Sequence, residues 1–288
     1  MKRARGAAPV GSVRHELAQL GRGPRKRLGQ HFLADRDTAA RIVALADLRG
    51  DERVVEIGPG LGALTALLTK AAGQLWLIEL DADFAQRCRS EYGALSNVHV
   101  VEDDALRVDF EQLLGPGTPA VVVANLPYNV ATAILAHLLA QRRCFARFVV
   151  MIQREVAERL RARPGDSEYS ALSVLTQFAA RIDIGLRVPP EAFVPPPKVE
   201  SEVVVITPHE RTPVAVDDAL AFRKVVRTVF TQRRKQLGNS LRLLCDDPQG
   251  VLAEAGIDSQ RRPETLDLAE FARLTNVVGR PRSSVDGN

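Results

Sequence analysis

The chain has 288 residues, 45% of them apolar and 26% charged, with a formal net charge of +4, a composition that excludes wholesale disorder. Its longest apolar run, Ala120 to Ala124, is too short for a membrane-spanning helix, and Met1 to Arg27 carries eight Lys/Arg where a secretory signal has an apolar core. Three scattered cysteines (Cys88, Cys144, Cys245) exclude a disulfide framework or a zinc knuckle and point to a reducing, cytoplasmic compartment.

The charge is unevenly laid out: residues 1–30 carry a net +7, residues 31–207 a net −5 and residues 208–288 a net +2. Residues 1–24 are expected to form a flexible basic arm. From Arg53 onward short apolar runs alternate with helical ones. Residues 53–57, 75–80, 98–101, 120–124 and 147–152 read as strands. Helical spacing follows the glycine loop to Ala72 and covers 81–92, 131–140 and 153–163. This alternation predicts an α/β fold with a doubly wound parallel sheet, because parallel strands need right-handed crossovers. Pro189-Pro190 and Pro195-Pro196-Pro197 break the rhythm and predict a stiff loop. Residues 201–206 form one more strand. After Pro213 only helical spacing remains, so a domain boundary is placed at 208/209, with a flexible tail ending the helical part.

The glycine loop Gly58-Pro-Gly-Leu-Gly62 lies between a strand and a helix, where Gly58 and Gly60 let a ligand approach the backbone. It departs from the dinucleotide pattern in having Ala63 at the sixth position, and Pro59 removes an N–H that a pyrophosphate would use. Glu79 ends the second strand, where an acid accepts both ribose hydroxyls of an adenosine ligand, in NAD and S-adenosylmethionine alike. Asp104, after the third strand, sits where a side chain bonds an adenine amino group; Asp103 fills that role after a slip of one position. Glu56 is an acid in an apolar strand and needs a hydrogen-bond partner, from backbone or cofactor.

The fourth strand is followed by Asn125-Leu-Pro-Tyr128, at the end of the sheet that faces a ligand crevice. An adenine exocyclic amine is a poor nucleophile because its lone pair is delocalised. The Asn125 side-chain oxygen and the Pro127 carbonyl can accept its two N–H bonds and favour the pyramidal geometry. Tyr128 offers a flat face for an extruded base, worth about 1–3 kcal/mol. No general base is needed, since Asn125 is an amide and the methylated amine loses its proton to water.

Phe222, Val225, Val226, Val229, Phe230 and Leu237 recur at helical spacing, with Arg223, Lys224, Arg227, Arg234 and Lys235 on the other side and no acid between Phe222 and Arg242. Arg233 does not fit that face and marks a bend or a snorkelling side chain. A one-sided basic helix suits RNA phosphates.

Taken together, Lys26-Arg-Leu-Gly-Gln-His-Phe-Leu33, Glu56-Ile-Gly-Pro-Gly60, Ile78-Glu-Leu80, Asp104-Ala105, Asn125-Leu-Pro-Tyr-Asn129, Phe193-Val-Pro-Pro-Pro-Lys-Val199, Gln232-Arg-Arg-Lys235 and Asn239-Ser-Leu241 resemble the KsgA/Erm family of rRNA adenine dimethyltransferases. The last motifs look like the KsgA branch more than the Erm branch. The resemblance implies a class I methyltransferase domain over 25–208 and a small helical RNA-docking domain over 209–288. It implies S-adenosylmethionine as cofactor and, as substrate, two adjacent adenines near the 3′ end of small-subunit rRNA in an assembling particle. It implies cofactor contacts from His31, Leu33, Gly58, Glu79, Asp104 and Asn125, and base contacts from Asn125, Leu126, Pro127 and Tyr128, with Phe193 as a second stacking face. The family commonly has Asn where this chain has His31. Glu56 and Gly60 join the cofactor set, and Arg25, Lys26 and Arg27 join the RNA contacts. We expect a monomer with no metal and no membrane partner. The competing readings are a non-catalytic RNA-binding assembly factor on the same fold, an Erm-like enzyme acting on large-subunit rRNA, and an NAD-dependent oxidoreductase.

Overall fold

The computed structural model describes residues 10–19, 21, 23 and 29–280. In chain order the first elements are α1 (Val10–Gln19), β1 (Phe32–Leu33), α2 (Arg36–Leu45), β2 (Arg53–Ile57), α3 (Thr65–Ala71), β3 (Gln74–Glu79), α4 (Ala82–Tyr92), β4 (Val98–Glu102), α5 (Phe110–Leu114), β5 (Ala120–Asn125), α6 (Ala131–Ala140) and β6 (Phe145–Gln153). Then follow α7 (Arg154–Arg161), α8 (Ala171–Ala179), β7 (Ala180–Val188), β8 (Phe193–Val194), β9 (Ser201–Pro208), α9 (Ala219–Thr231), α10 (Leu237–Ser240), α11 (Pro248–Glu254) and α12 (Leu268–Val278).

Seven strands form one sheet in the order β4-β3-β2-β5-β6-β9-β7. The first five are parallel, and β9 joins antiparallel to both β6 and β7. The central parallel strands β2, β5 and β6 are valine-rich because both faces of the sheet are covered there. Val54, Leu75, Leu77, Val121 and Val149 pack with Ile42 of α2, Leu68 of α3 and Cys88 of α4 on one face. Val55, Val122 and Phe148 alternate to the other, where Phe145 bridges between Phe148 and Phe110 of α5. The chain runs outward from β2 to β4, then returns to lay β5 beside β2. That reversal opens a crevice at the carboxyl ends of β2 and β5.

Three features differ from the sequence reading. The doubly wound sheet carries an antiparallel pair at one end, and β7 was not foreseen. Its alternation is interrupted at Gly185, where the register with β9 shifts between Ile184 and Leu186. The expected flexible arm contains α1, whose Val13 and Leu17 pack on Phe32, Phe84 and Val194, while Glu16 pairs with Arg87 at 2.6 Å. Val13 and Leu17, four residues apart, place both apolar side chains on the docked face of the helix. The Phe193–Val194 step of the stiff loop pairs with β1, so that the loop is two turns around a short ladder.

The chain divides into two compact units. One comprises the described residues up to Ala157 together with Ala180–Pro208; the other is Glu158–Ala179 together with the residues from His209 on. The 208/209 boundary is one crossing point, but Glu158–Ala179, assigned from sequence to the first domain, packs in the second. Tyr169, Val174 and Phe178 there join Phe222, Val226 and Phe271 in one core, and the rings of Phe178 and Phe222 stack at 4.3 Å. α9 starts at the Asp218 cap and buries Phe222, Val225, Val226 and Val229. It ends at Thr231, six residues before the predicted spacing ran out. Arg233 lies in the turn that follows and pairs with Glu264 at 2.8 Å, which is why it leaves the basic face. Lys224, Arg227, Arg234 and Lys235 are exposed and Arg223 is half-buried. Arg25, Lys26 and Arg27, and the terminal tail beyond Arg280, lie outside the described residues.

Candidate active site

The crevice at the ends of β2 and β5 is lined by the glycine loop, the ends of β3 and β4, the turn after β5 and the segment Gly29–Leu33. Backbone geometry explains the glycines. Gly58 and Gly60 have φ of +67° and +54°, the left-handed region, and a Cβ on Gly60 would meet the Phe32 ring at 3.2 Å. Gly58 N–H donates to Ile78 O at 2.9 Å, which pins the loop to β3.

Glu79 ends β3 facing this loop. Its Oε2 accepts from Gly60 N–H at 3.1 Å and its Oε1 from Asp81 N–H at 2.9 Å. Each oxygen keeps a lone pair for a ligand hydroxyl. Burial pushes its carboxyl up in spite of those two donors. Glu56, one residue before the end of β2, is buried and accepts from Thr65 Oγ1 at 2.7 Å. Its partner is thus Thr65, the first residue of α3, chiefly through the hydroxyl and more weakly through the backbone N–H. Burial, with a smaller contribution from Glu79, pushes Glu56 up to about 8, against the Thr65 bond. Asp104 lines the crevice and accepts from Leu106 N–H at 2.9 Å. Asp103 is exposed, does not line it, and accepts from Asp104 N–H at 2.7 Å, so the geometry favours Asp104. Three carboxyl groups therefore line this crevice, and no Lys or Arg among the described residues does.

On the other wall, Asn125 closes β5. Its Nδ2 donates to His31 O at 3.0 Å, which leaves Oδ1 as the amide atom able to accept a ligand N–H. Pro127 O accepts from Val130 N–H at 3.1 Å in the turn, using one of its two lone pairs. Leu126 is buried under the turn and is tied to β6 through Met151 O at 3.1 Å. Tyr128 is partly buried, hydrogen-bonds Ser201 through its hydroxyl, and stacks on the His31 ring with centroids 5.2 Å apart and planes 25° apart. Burial raises its phenol. His31 Nδ1–H donates to Pro195 O at 2.8 Å, a bond that sets its tautomer.

His31, Leu33, Glu56, Gly58, Gly60, Glu79, Asp104 and Asn125–Tyr128 are thus gathered in one crevice. Phe193 is not. Its side chain is 2% exposed in the sheet core, because the β1–β8 ladder pairs it with Leu33 and turns both inward, while Phe32 and Val194 turn toward α1. As a second stacking face it is corrected to a core residue. Sequence reasoning missed Phe32, Leu61, Phe84, Leu106 and Leu80, which also line the crevice. Leu80 is 55% exposed directly after Glu79, an exposure that the sequence alone does not reveal. Among the described residues, no group of three or more His, Cys, Asp or Glu is placed to hold a metal, and no helix is long and apolar enough to cross a membrane.

A glycine loop, acids at successive strand ends and an Asn-Leu-Pro-Tyr turn at the switch point define a Rossmann-like, class I methyltransferase. The sequence pattern of the family described as ribosomal RNA adenine dimethylase matches residues 22–279. The chain is 44% identical over 267 residues to "Ribosomal RNA small subunit methyltransferase A" of Magnetococcus marinus, covering 92% of this chain and 96% of that one. It is 45% identical to the protein of the same name from Geobacter sulfurreducens, covering 87% and 94%. Among solved structures, a dimethyladenosine transferase from Plasmodium falciparum superposes with a TM-score of 0.70 at 26% identity, covering 85% and 96%. The 23S rRNA methyltransferase ErmE superposes at 0.63 and 27% identity, covering 86% and 100%. The chain belongs to the ribosomal RNA adenine dimethylase family and is a methyltransferase of that class.

Proposed function

We propose that this enzyme dimethylates the exocyclic amines of two adjacent adenines near the 3′ end of small-subunit rRNA, on an assembling particle and with S-adenosylmethionine as methyl donor. The observation that carries the reading is one crevice lined, among the described residues, by three carboxyl groups and no Lys or Arg, and closed by the Asn125–Tyr128 turn. A pyrophosphate cofactor is poorly served by such a wall, whereas a cationic adenosine ligand fits it. The likeness to relatives named for the small subunit, at 44–45% identity, supports that substrate over the large-subunit one, for which the neighbour is 27% identical.

When bound, S-adenosylmethionine supplies an electrophilic methyl carbon on a cationic sulfur. Glu79 accepts the ribose hydroxyls and Asp104 the adenine amine, while Glu56 and the open backbone of Gly58 and Gly60 complete the cofactor wall. Asn125 Oδ1 and the remaining lone pair of Pro127 O accept the N–H groups of the target amine, and Tyr128 stacks its ring. Catalysis comes from proximity and from stabilising the positive charge that develops on the amine.

Incubation with labelled S-adenosylmethionine and unmodified small-subunit particles, followed by mass mapping, tests this directly. Dimethylation of paired adenines is expected. Tight RNA binding without transfer overturns it in favour of an assembly factor, and label in large-subunit rRNA in favour of the Erm-like reading.

The exposed Lys224, Arg227, Arg234 and Lys235 support phosphate docking on the second unit. Charge reversal at Lys224, Arg227 and Arg234 should weaken RNA binding and lower the slope of log affinity against log salt by about one per lost phosphate contact. Affinities unchanged across a salt series would remove that face from the interface.

A further inference from the structure

We propose that Ser201 is a positioning residue for methyl transfer, its hydroxyl fixing the plane of the Tyr128 ring. The inference rests on the reading of Tyr128 as the stacking face.

Ser201 opens β9 and is fully buried, at 0% exposure. It stands in register with Gln153 of β6 on one side and Val188 of β7 on the other. A strand paired on both edges holds its hydroxyl in place. Tyr128, by contrast, lies in a turn between β5 and α6, outside helix and sheet, so its ring plane must be set by side-chain contacts. Two contacts do so: the hydroxyl bonds Ser201 Oγ, and one ring face lies on His31. His31 is in turn anchored to Pro195 O, so Pro195, His31, Tyr128 and Ser201 form a chain of contacts whose two ends are Pro195, directly after β8, and Ser201, the first residue of β9.

Two residue choices follow from this arrangement. Stacking needs only a ring, and phenylalanine supplies one; the phenol is accounted for by its partner on β9. A hydroxyl at a fully buried strand position is costly unless bonded, and Tyr128 supplies its bond. β9 thereby contributes to the site from outside the parallel part of the sheet, through a residue no motif marks.

The test is a double-mutant cycle of Ser201→Ala and Tyr128→Phe, read by kcat and KM for RNA and by calorimetric binding of S-adenosylmethionine. Each single variant is expected to lower kcat about tenfold, with cofactor affinity unchanged within about twofold. The double variant should be no worse than the poorer single, and Ser201→Thr, which keeps the hydroxyl, should restore the rate. Tyr128→Phe removes the same bond from the other end, so the cycle does not depend on one variant's folding. A rate for Ser201→Ala within about twofold of wild type, or losses that multiply in the double variant, overturns the role of Ser201. Undiminished transfer by Tyr128→Ala overturns the stacking reading itself, an outcome distinct from a damaged Tyr128→Ala beside an intact Ser201→Ala.

Discussion

Asn125→Ala should reduce methyl transfer by roughly 10²–10³-fold while RNA affinity stays within about twofold, the size expected when one preorganised polar partner of the reacting centre is removed. The expectation follows from how the amide is held. His31 O can only accept, so Asn125 Nδ2 must face it, and Oδ1 is left directed for a ligand donor. Alanine removes that acceptor and also strands the His31 carbonyl. Aspartate is no substitute, because two carboxylate oxygens cannot donate to His31 O and a negative charge would be added to a crevice already lined by acids. The proposed phosphate docking rests on Lys224 and Arg227 of α9 and on Arg234 and Lys235 after it, none of which lines the crevice, so binding should be spared. Single-turnover transfer of labelled methyl, measured beside equilibrium RNA binding, checks both halves. An alanine variant within tenfold of wild type would deny Asn125 its place at the reacting amine.

Parts of this site are legible in the chain and parts are not. Strands β2, β5 and β6 announce themselves because burial on both faces of the central sheet leaves short, mostly apolar, valine-rich runs between polar turns. The strand-end residues Glu79, Asp104 and Asn125 then follow from topology alone, since a doubly wound sheet presents carboxyl ends to the ligand. Direction is another matter. Val203–Ile206 reads the same whether β9 runs parallel or antiparallel, and only its pairing with both β6 and β7 distinguishes the two. Gly185 hides β7 by breaking its period of two. Phe193 was misplaced because its environment is made by Leu33, about 160 residues away, through a two-residue ladder that no local pattern encodes. The segment Glu158–Ala179 was misassigned for a related reason. The chain leaves the first unit, contributes Tyr169 and Phe178 to the second core, and returns, with no proline or glycine cluster at the first crossing to mark it.

Replacing Glu56 by glutamine is expected to stabilise the ligand-free protein in alkaline solution and to weaken cofactor binding at the same time. Glu56 is buried beside Glu79, and the groups that face it are Thr65 of α3, Glu79 at the end of β3, and Cys88 and Tyr92 of α4, none of them cationic. Its carboxyl is pushed up from an ordinary 4.5 to about 8. The folded value lies above the unfolded one, so the folded chain holds a proton that the unfolded chain releases. The stability this confers is complete below the unfolded value and is lost as pH rises through the folded one. Glutamine cannot ionise and escapes that loss. The variant's melting temperature should therefore exceed wild type by several degrees at about pH 9 and match it at about pH 4. A cationic ligand favours the carboxylate, so binding of S-adenosylmethionine should tighten as pH rises from about 6 to about 8 and should release a proton, read by calorimetry in buffers of different ionisation enthalpy. In Glu56→Gln the proton release disappears and affinity at about pH 8.5 falls about tenfold or more. Proton release of equal size in both proteins would show that another group answers the ligand's charge, and equal melting shifts at acid and alkaline pH would show that Glu56 acts through packing alone.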